Sequence, residues 1–498
     1  MAARYPHPQL ANVSITDLRA ILDSGELSVT RLAEMHLERI EAIDQSGPNL
    51  RSIIEINPDW EPIAAALGAE LLADRPRGPL HGIPVLVKDN IDTGDRMLTT
   101  AGSLALAAAP APRDAPLVER LRAAGMLLLG KANLSEWANF RSERSSSGWS
   151  ARGGQCRNPH VLDRTPCGSS SGSAAAVAAG LTPVAVGTET DGSIICPSGA
   201  NGVVGIKPGV GVISQAGIIP ISRSQDSAGP HARDVRGAAL LLGALADDPR
   251  DFTTQLDAGA LRGRRLGVLR EPYAGYNGHA DRVYEEALGI LRELGAELVD
   301  PAVIATSEEM RAGDAATEYL LMQCEFKTGI ESYLATRPEL GLKDLGDLVR
   351  FNEEHADDEM LFFRQETFVK ALGCPGTESD EYRKAAAACR RLSRTDGIDK
   401  TLRESRLDAL VAPSHAPAWP IDLVNGDPKL GGCTQPSAMA GYPIVTVPAG
   451  WAFEVVPLGI AFFAGPGSET LLLGMAYAFE AATRARRPPG YLPTLKLS

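Results

Sequence analysis

CGSSSGSAAAVAAGLTPVAVGTETDGSIICP, residues 167–197, is the stretch from which the rest of the chain is read. Its small residues SAAAVAAG (173–180) predict a helix that can pack closely against neighbours, and PVAVG (183–187) predicts a buried strand directly after it. The same alternation recurs on both sides. Upstream, IPVLVK (83–88) reads as a strand, PLVERLRAAG (116–125) as a helix and MLLLG (126–130) as a buried strand. Further upstream, Val29, Leu32, Leu37, Ile40 and Ile43 recur at helical spacing, with Ser28 as an N-cap. Downstream, LDALVAPS (407–414), YPIVTVPAG (442–450) and PLGIAFFAG (457–465) return to the strand pattern. Helices alternating with short apolar strands predict an α/β fold whose sheet is covered on both faces. The region of about 300–400 differs: segments such as RKAAAACRRLSR are charged and helical, as in an inserted cap.

The chain has 498 residues, 44% of them hydrophobic, which suits a large core and excludes a disordered chain. No linker rich in Pro, Gly or Ser divides it, so residues 1–498 read as one large domain, with a core at about 80–235. Acidic residues outnumber basic ones by 62 to 49, and aromatics are 5%. This balance argues against broad polyanion binding and against base-stacking platforms, so no nucleic-acid partner is expected. No apolar run reaches the roughly 18 residues of a spanning helix, and the N-terminus has no apolar signal core. A cytoplasmic protein with no membrane partner, monomeric or homodimeric, is the expectation. Seven scattered cysteines with no CxxC pair indicate neither a disulfide scaffold nor a zinc site.

Two motifs mislead. Gly168-Ser169-Ser170-Ser171-Gly172 fits G-x-S-x-G, but the nucleophile elbow needs an apolar strand before it. Here RNPHVLDRTPC precedes it, with Pro159 and Pro166. Gly125 to Ala132 resembles a phosphate loop, but Ala132 stands where Ser or Thr would hold magnesium. The intervening residues are strand-like, so Lys131 reads as an ordinary lysine after a strand. The eight histidines form no H-x-x-x-H pair, and His81 and His231 read as structural.

Three segments carry chemistry. Lys88 ends the apolar strand GIPVLVK. Buried there, it would lose charge and could act as a base; alternatively it snorkels, or pairs with Asp89 or Asp92. CGSSSGS (167–173) packs hydroxyls and backbone N–H groups into a tight loop, and by itself reads equally as a plain loop. GTETDGSIICP (187–197) follows a strand as a turn rich in N–H groups, suited to an oxyanion, with Ser193 the hydroxyl placed to attack.

In this order the three resemble the amidase signature family, whose pattern reads approximately GGSSxGSAAAVAAG followed by GTDxGGSIR. The resemblance covers most of the chain. It implies the amidase-signature fold, a large mixed β-sheet between helical layers. It also implies a triad of Lys88 as base, Ser169 as bridging serine on a cis peptide, and Ser193 as acylated nucleophile. The backbone N–H groups of Thr190, Asp191, Gly192 and Ser193 would form the oxyanion hole. No metal and no organic cofactor is implied. Departures from the pattern are Cys167 for glycine, Glu189 for aspartate, Asp191 for glycine and Ile195 for arginine. Asp191 could line the rim of the site or cap a local N–H.

The form TETDGSI, with KANLSEWANFRS (131–142), SSSGWSARGGQCRNP (145–159) and GVISQAGIIPISRSQD (211–226), is most similar to bacterial peptide amidases. CEFKTGIESYLA (324–335) points the same way. Such enzymes release ammonia from the C-terminal amide of peptides. The alternatives are an amidase for aryl acylamides or small carboxamides, and the A-type component of an amidotransferase. Expected substrate-pocket regions are 300–400 and HAPAW (415–419).

Overall fold

Each apolar run singled out above becomes a strand in the computed structural model, which describes residues 4–312, 315–428 and 430–496. Along the chain the strands are β1 (Ile53–Ile56), β2 (Pro84–Lys88), β3 (Leu127–Ala132), β4 (Trp149–Ser150), β5 (Gly154–Gln155), β6 (Val184–Glu189) and β7 (Val204–Lys207). They continue with β8 (Ser227–Ala232), β9 (Arg265–Leu269), β10 (Glu297–Ala302), β11 (Ala409–Pro413), β12 (Ile444–Ala452) and β13 (Val456–Phe463). β4 and β5 pair as a small hairpin, and the others form one sheet in the order β1-β3-β2-β6-β8-β7-β12-β13-β11-β9-β10. β2 runs parallel to β3 and β6, whereas β8, β7, β12 and β13 are successively antiparallel. β11, β9 and β10 are parallel again, so the sheet is mixed.

Strand periodicity shows that both faces are covered. In β13, Ile460 and Phe462 belong to one apolar cluster, while Ala461 and Phe463 belong to another. β11 divides in the same way: Ala409 and Val411 against Leu410 and Ala412. Successive side chains point to opposite faces, so two cores require helices above and below. Ser28 caps the 29–40 helix as expected, accepting the Arg31 N–H at 3.0 Å.

The helix Ser171–Ala179 is buried along its whole length, which only small side chains permit. Gly172 marks its closest approach: a Cβ there would lie 2.1 Å from the Ser52 carbonyl oxygen and 2.5 Å from that of Asn133. Backbone cannot yield cheaply, so Gly172→Ala is expected to lower stability by about 3 kcal/mol. Urea unfolding monitored by circular dichroism checks this, and an unchanged midpoint would contradict the packing argument.

The 300–400 region is helical after β10, with helices at Ser307–Ala312, Ala315–Ala335, Leu345–Glu354, Glu366–Leu372 and Asp380–Arg390. Residues 313 and 314 lie outside the described residues. Phe326, Ile330, Leu345 and Phe368 pack on Leu106, Trp137, Phe140 and Ile221 of the core. Tyr333 also donates to Asp92 at 2.8 Å, which ties this layer to the loop after β2. Among the described residues, no helix is long and apolar enough to cross a membrane.

Candidate active site

Lys88 closes β2 with no exposed surface. β2 lies between β3 and β6, and the serine loop and Thr188 cover the face on which its last side chain lies. The Lys88 Nζ is 2.7 Å from Ser169 Oγ, 3.1 Å from Ser170 Oγ and 2.9 Å from Thr188 Oγ1, and donates to the Thr188 carbonyl at 3.2 Å. It does not pair with the two aspartates considered above. Asp89 is engaged by Thr100 and Arg152, and Asp92 by Tyr333 and Arg337. Burial pushes the Lys88 amine down to about 7, against a smaller opposing pull from Asp226 and Glu189.

Ser169 follows a cis Gly168–Ser169 peptide and is fully buried. Its carbonyl accepts the Ser135 N–H at 3.0 Å. Ser170 N–H donates to the Ser193 carbonyl at 3.1 Å, so the serine loop and the turn after β6 are joined directly. Ser193 is 8% exposed. The structure therefore brings Lys88, Ser169 and Ser193 into one neighbourhood.

The turn 190–193 is held from both sides. Thr190 Oγ1 donates to Asp226 at 2.6 Å, and Asp226 also accepts the Ile221 and Ser222 N–H groups. The Glu189 carboxylate accepts the N–H groups of Ile194 and Ile195 at 2.6 and 2.9 Å, capping the short helix Ile195–Ala200. Gly192 takes a left-handed φ of 83°, which turns the chain toward Ser193. Among the described residues, the N–H groups of Gly192 and Ser193 donate to no protein acceptor. They are thus available to an incoming oxyanion. Asp191 is exposed and lines the cleft, at the rim position considered above.

The cysteines depart from expectation. Cys167 and Cys196 form a disulfide, with Cα atoms 5.9 Å apart and a sequence separation of 29. Spacing carried no such signal, because the pair forms only after β6 returns the chain beside the serine loop. Lys131 lies inside β3, buried, donating to the Ile91 carbonyl at 2.7 Å and to Thr99 at 2.9 Å. His81 and His231 are structural, engaging the Leu67 carbonyl at 3.0 Å and Ser198 at 2.8 Å.

A cleft of ≈ 490 Å³ opens over the junction, walled by Gly168, Asp191, Gly192, Cys196, His415 and Trp419. The segment HAPAW therefore contributes as expected. Of the helical region 300–400, Arg311 alone reaches the wall among the described residues. Glu318 of that region sits nearby, accepting from Gln225 and the wall residue Gln435 at 2.8 and 3.0 Å. Burial, with the Asp191 charge second, pushes its carboxyl up to about 7. Two strips that line the cleft were not singled out as pocket: Asn139 to Ser147, and Leu430 to Gln435. Neither has a compositional signature, since loop segments look alike wherever they lie.

Comparisons with known proteins converge on one family. The family model described as Amidase matches residues 31–473. A probable amidase of Arabidopsis thaliana is 39% identical over 507 residues, covering 97% of this chain and 92% of that one. The A-type component of the glutamyl-tRNA(Gln) amidotransferase of Symbiobacterium thermophilum is 35% identical, covering 95% and 97%. The solved structure of the native peptide amidase from Stenotrophomonas maltophilia superposes with a TM-score of 0.91 at 46% identity, covering 96% and 99%.

Proposed function

This chain belongs to the amidase family, hydrolases of amide C–N bonds, and we propose that it removes the C-terminal amide of peptides through an acyl-enzyme on Ser193. The observation that carries the chemistry is Lys88 Nζ, wholly buried and 2.7 Å from Ser169 Oγ, beside the turn that bears Ser193. Similarity to a solved peptide amidase over nearly the whole chain supports the substrate class.

In this reading, neutral Lys88 accepts a proton from Ser169 as Ser169 accepts one from Ser193. Ser193 Oγ attacks the carbonyl carbon of the carboxamide. The oxyanion accepts hydrogen bonds from the N–H groups of Thr190, Asp191, Gly192 and Ser193. The proton returns through Ser169 to the nitrogen, the C–N bond breaks and ammonia leaves. Water then attacks the acyl-enzyme, losing its proton along the same path; that proton returns through Ser169 to Ser193 Oγ as the acyl bond breaks, and the peptide departs with a free carboxylate. Nucleophile, base and bridging group have the roles of a serine triad, with lysine in place of histidine.

Ammonia release from a substrate panel tests the reading, with Ser193→Ala protein as blank. The panel holds a peptide amide, glutamine, a fatty amide and a small aryl carboxamide, and an anilide is followed by aniline release. The peptide amide is expected to dominate with its internal peptide bonds intact. An inert peptide amide beside a fast alternative would overturn the substrate class and leave the triad standing. The similarity to the A-type component of an amidotransferase supports a second reading, ammonia transfer within an assembly. Asp191 and Ile195, which depart from the pattern usual in those components, weigh against it. Co-purification with other chains, together with negligible turnover alone, would favour it.

A further inference from the structure

We propose that the Cys167–Cys196 disulfide is a positioning element of the active site, clamping the serine loop to the nucleophile's turn, and that turnover depends on this bond. The inference rests on the assignment of Ser169 and Ser193 above. Cys167 lies two residues before Ser169, and Cys196 three residues after Ser193 in the first turn of the 195–200 helix. The bond therefore crosses the junction at which the two hydroxyls must align. The noncovalent ties across that junction are hydrogen bonds. Ser170 N–H donates to the Ser193 carbonyl at 3.1 Å. The Asn201 side-chain amide bridges the Pro166 and Pro197 carbonyls at 2.8 and 2.7 Å.

The backbone adds an independent observation. Cys167 has a φ of 56°, a left-handed conformation that favours glycine, which the family pattern carries at this place. A cysteine there is conformationally disfavoured unless its side chain contributes, and the contribution visible here is the cross-link. Both sulfur-bearing residues also line the cleft, and Cys196 is partly exposed. The bond is thus within reach of a small reductant. Of the five cysteines outside it, Cys156, Cys324, Cys389 and Cys433 are buried, and none of the five forms a disulfide.

Dithiothreitol supplies the test. One of its thiolates attacks Cys196 Sγ, and Cys167 leaves as a thiolate and takes a proton. Its second thiolate then displaces the Cys196 thiol as the reagent closes to its cyclic disulfide, so two electrons and two protons pass to the protein. Reduction in the native state is followed by alkylation and mass analysis, with near-ultraviolet circular dichroism as the control for folding. The kcat is expected to fall about 10-fold with KM within about twofold, since misalignment of reacting groups acts on the transition state. Reoxidation restores it. Cys167→Gly removes the bond while suiting the left-handed backbone. It is expected to show the same fall and no response to reductant.

A reduced, folded enzyme with full kcat would overturn the proposal. So would reduction that abolishes tertiary structure, which would make the bond merely structural. If the bond resists native reduction, Cys167→Gly and Cys196→Ser decide, and an unchanged kcat in either sinks the idea. Labelling of Ser193 by a fluorophosphonate separates this from the triad assignment. An oxidised wild type that is not labelled refutes the triad, whereas equal labelling rates in the oxidised and reduced forms refute the clamp.

Discussion

Replacing Ser193 by alanine is expected to lower kcat on a peptide amide by about 10⁴-fold or more, leaving the fold intact. The side chain is small and only 8% exposed, and the link of this residue to Ser170 is made by its carbonyl, which alanine retains. What is lost is the atom that forms the acyl bond. Steady-state ammonia release and thermal unfolding should therefore separate cleanly, the first collapsing and the second holding within a few degrees. Hydroxylamine added to the wild type should divert the acyl group to a hydroxamate, because it competes with water for the same ester. Undiminished turnover in the Ser193→Ala protein would end the mechanism proposed here.

The second large effect concerns Lys88. Its amine is held at about 7 by burial, so at neutral pH a substantial fraction is already neutral. The proposed mechanism requires the neutral form. As pH falls below about 7 the amine takes a proton, and kcat/KM is expected to drop about tenfold per pH unit on the acid side. Lys88→Met keeps the length and apolar stem but removes the base. It should lose several orders of magnitude in kcat together with that acid limb. A Lys88→Met enzyme with the wild-type rate and profile would remove Lys88 from the mechanism.

Stability should move the other way. Lys88 titrates near 7 in the folded protein and near its ordinary 10.5 when unfolded. Between these values the unfolded chain binds a proton that the folded chain does not. Burial of this lysine therefore subtracts stability, fully below about pH 7 and not at all above about 10.5. At pH 7, loss of the amine removes that penalty, so the Tm of Lys88→Met is expected not to fall through electrostatics. An activity loss without a Tm loss is the mark of a group held for chemistry.

How much of this was legible follows from the physics of each signal. Strands β2, β3, β6, β11, β12 and β13 were readable because apolar runs of four to eight residues bounded by turn residues have few other uses. The helical character of 300–400 was readable from its charge and spacing. The cleft wall was not, beyond the two motif loops, Arg311, His415 and Trp419. Residues 139–147 and 430–435 lie largely in loops, and nothing local distinguishes a loop facing a cleft from one facing solvent.

The order of Lys88, the serine loop and the turn at 187–197 was determined by the sequence alone, and with it the family and the kind of chemistry. Motifs are local, and their residue types and spacing survive without coordinates. The tertiary structure decided that Lys88 is buried and does not pair with Asp89 or Asp92, because only the folded chain brings the serine loop and Thr188 over its amine, and that burial lowers its basicity. It also decided that Cys167 and Cys196 meet, that Glu189 caps the helix after Ser193, and that Asp191 stands at the rim. Each of these depends on segments distant in sequence converging or on the path the chain takes through a turn, and neither convergence nor path has a local pattern to betray it.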